Sequence, residues 1–275
     1  MNSSEIDLGI VDVKNIIRNI RENYQYDFSD YALTSFKRRL EYFMVKQDIK
    51  YPDLLEARLN NNDPIFFDQF LCDISTDTSE MFRDPSLWRF LRDNLLKQLL
   101  EESPRLKIWI PNSVSGEELF TLTIVLKEMD ALDKAEIIVS GLSQKAIEQM
   151  KSGIFNPAKV NISSDNYKRF NGKSDLSSYY QNKENCFFRD ISLLKNVSFI
   201  KQTVSFENLA ERVKLILFRN RMIYFNNQLQ QKMVNILHDC LLPGGYLIVG
   251  TKESLGEDDR FSLACNSESI YKKKN

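Results

Sequence analysis

Apolar residues recur at helical spacing through the first hundred positions, then give way to short runs that alternate with helical stretches. In SDYALTSFKRRLEYFMVKQD, Leu33, Phe36, Leu40 and Phe43 share one helical stripe. Ser29 or Asp30 offers a cap, and Lys37, Arg38 and Lys46 lie off the stripe. Pro52, Pro64 and Pro85 each precede a periodic apolar run, which suits proline at the first helical position. The last of these opens DPSLWRFLRDNLLKQLLEES, whose Leu87, Phe90, Leu91, Leu95 and Leu99 predict one long helix. After Pro104 the pattern predicts strands over 106–110, 136–140, 214–218 and 246–249, with helices over 116–128, 144–152 and 226–241. Such alternation predicts βαβ units and a mainly parallel, doubly wound sheet. Pro243-Gly244-Gly245 reads as a turn before the last of these strands, and 269–273 as an edge strand.

Between about 156 and 196 the rhythm breaks, with NGKSDLSSYYQNKEN at the centre. That is too long for an ordinary connection and predicts a small inserted subdomain, with antiparallel strands around Cys186-Phe187-Phe188. The expected organisation is a helical domain over 1–84 and an α/β domain over 85–275, with the insertion at about 157–196.

Composition excludes more than it selects. Of 275 residues, 43% are hydrophobic and 27% charged, as in ordinary globular proteins. The net charge of −1 gives no global field to recruit nucleic acid or an anionic membrane. Four scattered cysteines and the single His238 argue against a zinc site and against Ser-His or Cys-His triads, so no metal is expected. The start MNSSEIDLGIVDVK lacks a signal-peptide pattern, and no apolar run approaches the length of a membrane span. A cytoplasmic location is expected.

Candidate chemistry collects where strands of such a sheet end, near the switch in strand order. Three segments converge there: PNSVSGEEL after the first strand, VSGLS after the second, and LILFRNRMIYF around the third. The acids of PNSVSGEEL also suit a helix start, where they stabilise the positive end of the dipole. Gly141 stands where a nucleoside-binding sheet places an acid.

Four blocks together resemble one family. SEMFRDPSLWRFL, WIPNSVSGEELFTLTIVLKE, IIVSGLSQKAIEQMKSGIF and LILFRNRMIYFNNQLQQKMVNILHDCLLPGGYLIVGTKESL look like the CheR chemotaxis receptor methyltransferases. The resemblance implies an N-terminal helical domain followed by a doubly wound, Rossmann-like methyltransferase domain with a small inserted β subdomain. It also implies S-adenosylmethionine as cofactor and methyl transfer to glutamate side chains of chemoreceptors. Carried over by position, it implies catalytic roles for Arg83 and Tyr224. It places Asp77, Ser79, Arg83, Glu117, Glu118, Arg219 and Asn220 around the cofactor. It further implies that Lys37, Arg38, Arg39 and Lys46 contact a methyl-accepting chemoreceptor or a similar acidic helical signalling protein.

The chain departs from the family pattern at the cofactor. Pro111 and Asn112 stand where the family has alanine and glycine, and Gly141 where it has an acid. Asn112 puts a side chain where backbone approaches ligand, Pro111 removes an N–H donor, and Gly141 leaves the ribose hydroxyls without a charged acceptor. These changes predict weakened S-adenosylmethionine binding. Two readings are therefore expected: a CheR-like methyltransferase, or a CheR-like receptor-binding protein that has lost cofactor and activity. A third, another nucleotide on the same fold, has no specific residue behind it.

Overall fold

The computed structural model describes residues 6–75, 79–184, 186–204 and 212–274. Four helices come first: α1 (Ile10–Tyr24), α2 (Leu33–Lys46), α3 (Pro52–Asn60) and α4 (Pro64–Ile74). Proline opens both α3 and α4, and the Asp63 carboxylate caps α4 by accepting from the Ile65 N–H. Their apolar stripes meet in a core built on Ile16, Ile20, Phe36, Leu40, Phe43, Leu59 and Phe70. Leu142 and Val204, from segments just past two strands of the sheet, belong to that same core. The helical unit therefore sits on the carboxyl ends of those strands.

The long helix expected after Pro85 is present but interrupted. It runs as α5 (Pro85–Phe90), a π-helical turn over Leu91–Leu95 and α6 (Leu96–Glu102). Then follow β1 (Leu106–Ile110), α7 (Glu117–Glu128), β2 (Ala135–Gly141), α8 (Gln144–Ser152), β3 (Ile154–Phe155) and α9 (Val160–Phe170). Next come β4 (Tyr180–Lys183), β5 (Cys186–Arg189), β6 (Val197–Lys201), β7 (Val213–Phe218) and α10 (Asn227–Cys240). The chain closes with β8 (Leu241–Val249), β9 (Phe261–Cys265) and β10 (Ile270–Lys273).

Seven strands form one sheet in the order β6-β2-β1-β7-β8-β10-β9. The first five are parallel, and β10 runs antiparallel to both of its neighbours. The chain builds outward from β1 in one direction and then, from β7, in the other. The switch in strand order thus lies between β1 and β7, where a doubly wound sheet opens its ligand crevice. Side chains alternate across the sheet. Ile108, Ile110, Leu215 and Leu217 pack on one face, while Trp109, Ile216 and Phe218 pack with α10 on the other.

Three expectations need correction. The tail strand is not an edge: β10 pairs with β8 and β9, and β9 is outermost. Pro243-Gly244-Gly245 lies inside β8, where the pairing with β7 shifts register between Val213 and Leu215. A Cβ at Gly245 would stand 2.8 Å from the Leu242 carbonyl oxygen, so the irregularity closes on glycine. The insertion does hold antiparallel strands, in the order β3-β5-β4, but β3 precedes it, and it also contains α9, which was unforeseen.

Candidate active site

Loops from both sides of the switch meet the helical unit here. The backbone after β7 is steered by one carboxylate. Glu253 accepts from the N–H groups of Asn220 at 2.8 Å, Ile223 at 3.2 Å and Gly250 at 2.7 Å. Asn220 takes a left-handed conformation, φ 56°. The loop then delivers Arg219, Arg221 and Tyr224 to the crevice.

Arg219 is buried, and its guanidinium holds Glu118 at 3.2 Å and Asp84 at 2.5 Å. Arg221 reaches the other Glu118 oxygen at 4.0 Å. Glu118 and Arg219 are therefore brought together, and Asn220 lines the neighbouring pocket with Arg221. Glu117 is not part of that group. Its carboxylate is buried and taken by Arg189 at 3.2 Å, Lys159 at 3.5 Å and the Ser115 hydroxyl. The helical period explains the division, since successive residues on α7 point about 100° apart.

Arg189 comes from β5 of the insertion and is itself buried, with its guanidinium 4.8 Å from the Phe120 ring and 4.6 Å from the Phe155 ring. It also donates to the Ser115 carbonyl at 3.0 Å. Burial pulls its pKa below the ordinary arginine value, and the Glu117 charge opposes that pull. The pair ties the insertion to the loop after β1.

Tyr224 lies under the Arg39 guanidinium, 3.9 Å from its ring centroid. The chain fixes this contact on both sides: the Ala32 N–H donates to the Tyr224 carbonyl, and Tyr31 bridges to Phe225. The small pocket beside them, about 30 Å³, is lined by Tyr31, Arg39, Asn112, Asn220, Arg221 and Tyr224 among others. Arg83 does not share it. Its side chain lines a separate cleft of about 790 Å³ with Glu80, Arg89, Asp165 and Arg169. The backbone explains the divergence: Phe82 and Asp84 both adopt left-handed φ, 55° and 57°, which turns the chain sharply at Arg83. The Arg83 carbonyl still accepts from Trp88 Nε1 at 2.9 Å and faces Arg219 at 3.4 Å.

The other residues expected around the site divide. Ser79 offers its carbonyl to Lys159 Nζ, and Asp77 lies outside the described residues. The four basic residues of α2 do not form one face. Lys37 pairs with Asp7 at 2.6 Å and Glu41 at 3.6 Å, and Lys46 pairs with Asp73 at 2.6 Å. Arg38 is exposed, and Arg39 turns into the crevice.

The loop after β1 opens with Pro111 and Asn112. Asn112 replaces the family glycine yet adopts the left-handed backbone itself, φ 52°, which asparagine tolerates better than most residues. The turn is kept. Its next residue clasps β2, with the Ser113 N–H donating to the Ser140 carbonyl at 2.7 Å.

The family model "CheR methyltransferase, SAM binding domain" matches residues 77–270. The chain belongs to the CheR methyltransferase family. Cher3 of Pseudomonas putida is 29% identical over 96% of this chain and 97% of its own length. Chemotaxis protein methyltransferase 1 of Vibrio cholerae is 29% identical over 73% of this chain and 74% of its own. Among solved structures, the N-methyltransferase NodS of Bradyrhizobium japonicum aligns over 69% of this chain and 98% of its own, at 11% identity and a TM-score of 0.35. S-adenosylmethionine is the cofactor of this CheR domain.

The groups at the switch point are chemically suited to that cofactor: Glu118 with Arg219 and Arg221, and in the pocket that Arg221 also lines, Asn220 and Tyr224. At the nucleoside end the usual acid is absent, and buried polar atoms of Asn112 and Gln202 stand unpaired among the described residues. Sequence reasoning missed Glu253, Arg189 and Gln202. Only Glu253 had a signal, inside the GTKESL block. Among the described residues, no helix is long and apolar enough to cross a membrane.

Proposed function

We propose that this chain transfers a methyl group from S-adenosylmethionine to glutamate side chains of a methyl-accepting chemoreceptor or a similar acidic helical signalling protein. The observation that carries the reading is the Arg39–Tyr224 contact at the mouth of the crevice, which joins the basic helix α2 to the loop after β7. A glutamate carboxylate, with a pKa of about 4.3, is already ionised at neutral pH and needs no general base. The protein's task is to orient that carboxylate and exclude water. Arg39 offers a guanidinium for the carboxylate, a natural pairing, and the Tyr224 ring and the Ile74 carbonyl hold that guanidinium in place. Glu118 and Arg219 hold the inner wall, and Glu253 fixes the loop that carries Tyr224. The cofactor, when bound, supplies an electrophilic methyl group.

The test is incubation of the whole chain with methyl-labelled S-adenosylmethionine and a chemoreceptor signalling fragment. The expected product is label on glutamate that mild base releases as methanol, the signature of a methyl ester. Base-stable label would move the activity to another acceptor class. Binding of the fragment with no transfer would make the protein a docking module.

A further inference from the structure

Position 141 stands at the carboxyl end of β2, where a nucleoside-binding sheet places an acid for the ribose hydroxyls. Gly141 has no side chain, and none would fit. A Cβ there would stand 2.8 Å from the Ser113 carbonyl oxygen, a backbone atom, for as long as the loop rests on β2. Two other polar atoms bracket this glycine. Asn112 Oδ1 and Gln202 Nε2 are buried and have no hydrogen-bond partner among the described residues.

The backbone brings both side chains to the end of β2. The Gln202 N–H donates to the Gly141 carbonyl at 2.9 Å, and the Asn112 N–H lies 3.4 Å from Gln202 Oε1. Gln202 is 1% exposed, so water does not serve its amide nitrogen from the surface. Buried polar groups are almost always paired, and an orphan donor beside an orphan acceptor calls for an explanation. One partner suits both atoms. A hydroxyl accepts and donates, so a ribose diol can give a hydrogen to Asn112 Oδ1 and accept one from Gln202 Nε2.

We infer that Asn112 and Gln202 form the ribose-recognising pair of this chain, two neutral carboxamides in place of one acid. The inference rests on the methyltransferase reading, since it needs an adenosyl ligand. The pocket that Asn112 lines holds only about 30 Å³, far below an adenosyl group. The nucleoside therefore enters only as the loop lifts from β2, and on entry both orphan atoms gain partners.

Calorimetry on the whole chain tests this with S-adenosylhomocysteine and its 2′,3′-dideoxy analogue. The wild-type chain binds S-adenosylhomocysteine about 10-fold more tightly than the analogue, the effect of neutral hydrogen bonds. Gln202→Leu reduces that preference by weakening S-adenosylhomocysteine alone. Equal wild-type affinity for the two ligands overturns the inference and leaves the methyltransferase reading standing. No binding of S-adenosylhomocysteine to the wild-type chain overturns both. The two-ligand comparison on the wild-type chain needs no variant, so it decides even if Gln202→Leu fails to fold.

Discussion

At one end of the crevice, after β7, charge is dense: Arg219 and Arg221 converge on Glu118, Arg219 also holds Asp84, and Glu253 grips three backbone N–H groups. At the other end, the polar atoms nearest Gly141 are neutral: a clasp from Ser113 to Ser140, an asparagine and a glutamine, with the Glu117–Arg189 pair further along the loop. The charged end is over-determined, because each group there is fixed by a partner of opposite sign or by several donors. The groups around Gly141 are held by single hydrogen bonds. The comparison teaches that one crevice can keep its reaction geometry rigid while its ligand entry stays adjustable.

The sharpest way to break this contrast is Glu253→Ala. It strands three backbone donors, and each orphan costs about 1–3 kcal/mol. A loss of at least about 3 kcal/mol in urea denaturation is expected. A loss under about 1 kcal/mol would show that the charged end is not held as described.

Gly141→Asp attacks the neutral end. Restoring the family's acid forces a side chain against the Ser113 carbonyl, 2.8 Å from the added Cβ. Overpacking of this kind costs about 1–3 kcal/mol. Lower thermal stability, with no gain in S-adenosylhomocysteine affinity, is the expected outcome. A stable variant that binds more tightly would mean the loop yields at no cost.

Asp68, on α4, links the helical unit to the sheet. Its carboxylate accepts from the Ser143 hydroxyl and the Gln144 and Lys145 N–H groups at the start of α8, and it pairs with Lys201 at 3.2 Å. Burial alone would raise its pKa, but the N–H groups of Lys145 and Gln144, the Ser143 hydroxyl and Lys201 outweigh burial and hold it below the usual value. A depressed folded-state pKa contributes stability above the unfolded value, near 4, and loses it as pH falls through the folded value. Asp68→Ala should therefore cost about 1 kcal/mol at pH 7 and flatten the acid limb of the stability curve below about pH 4. Denaturation at pH 7 and pH 3 reads both effects, and an acid limb identical to wild type contradicts the assignment.

The smallest effect tests the entrance. Arg38 is exposed and Lys37 is already paired, so reversing both charges should weaken receptor-fragment binding modestly, as for exposed ion pairs. Arg39→Ala should cost more, because Arg39 faces Tyr224. Titrations at low salt give that order, and a larger loss from the surface pair would move docking away from the crevice.

Much of this architecture was legible in the chain. Short apolar runs and strand-helix rhythm located β1, β2 and β7, because those strands are buried on both faces. β6 and β9 escaped, since Val197–Lys201 and Phe261–Cys265 carry exposed polar positions and lie outermost in the sheet. The π-helical turn was invisible, because a single extra residue per turn leaves the apolar spacing nearly unchanged. At the site, Glu118, Arg219, Asn220 and Tyr224 sit in quotable motifs. That Glu117 turns to Arg189 while Glu118 turns to Arg219 was not legible, because adjacent acids look alike in sequence although they point apart on a helix. Gln202 and Arg189 had no motif at all, since their roles arise only when the ends of β6 and β5 reach the loop after β1.

Calorimetric titration of S-adenosylhomocysteine into the wild-type chain, beside a family member that keeps the acid after β2, tests the contrast between the two ends most directly. An intact charged end with a neutral nucleoside end predicts saturable one-site binding. It should be weaker than in the acid-bearing relative by about 10- to 100-fold, the effect of one charged hydrogen bond. Equal affinity, or no saturable heat at all, would contradict it.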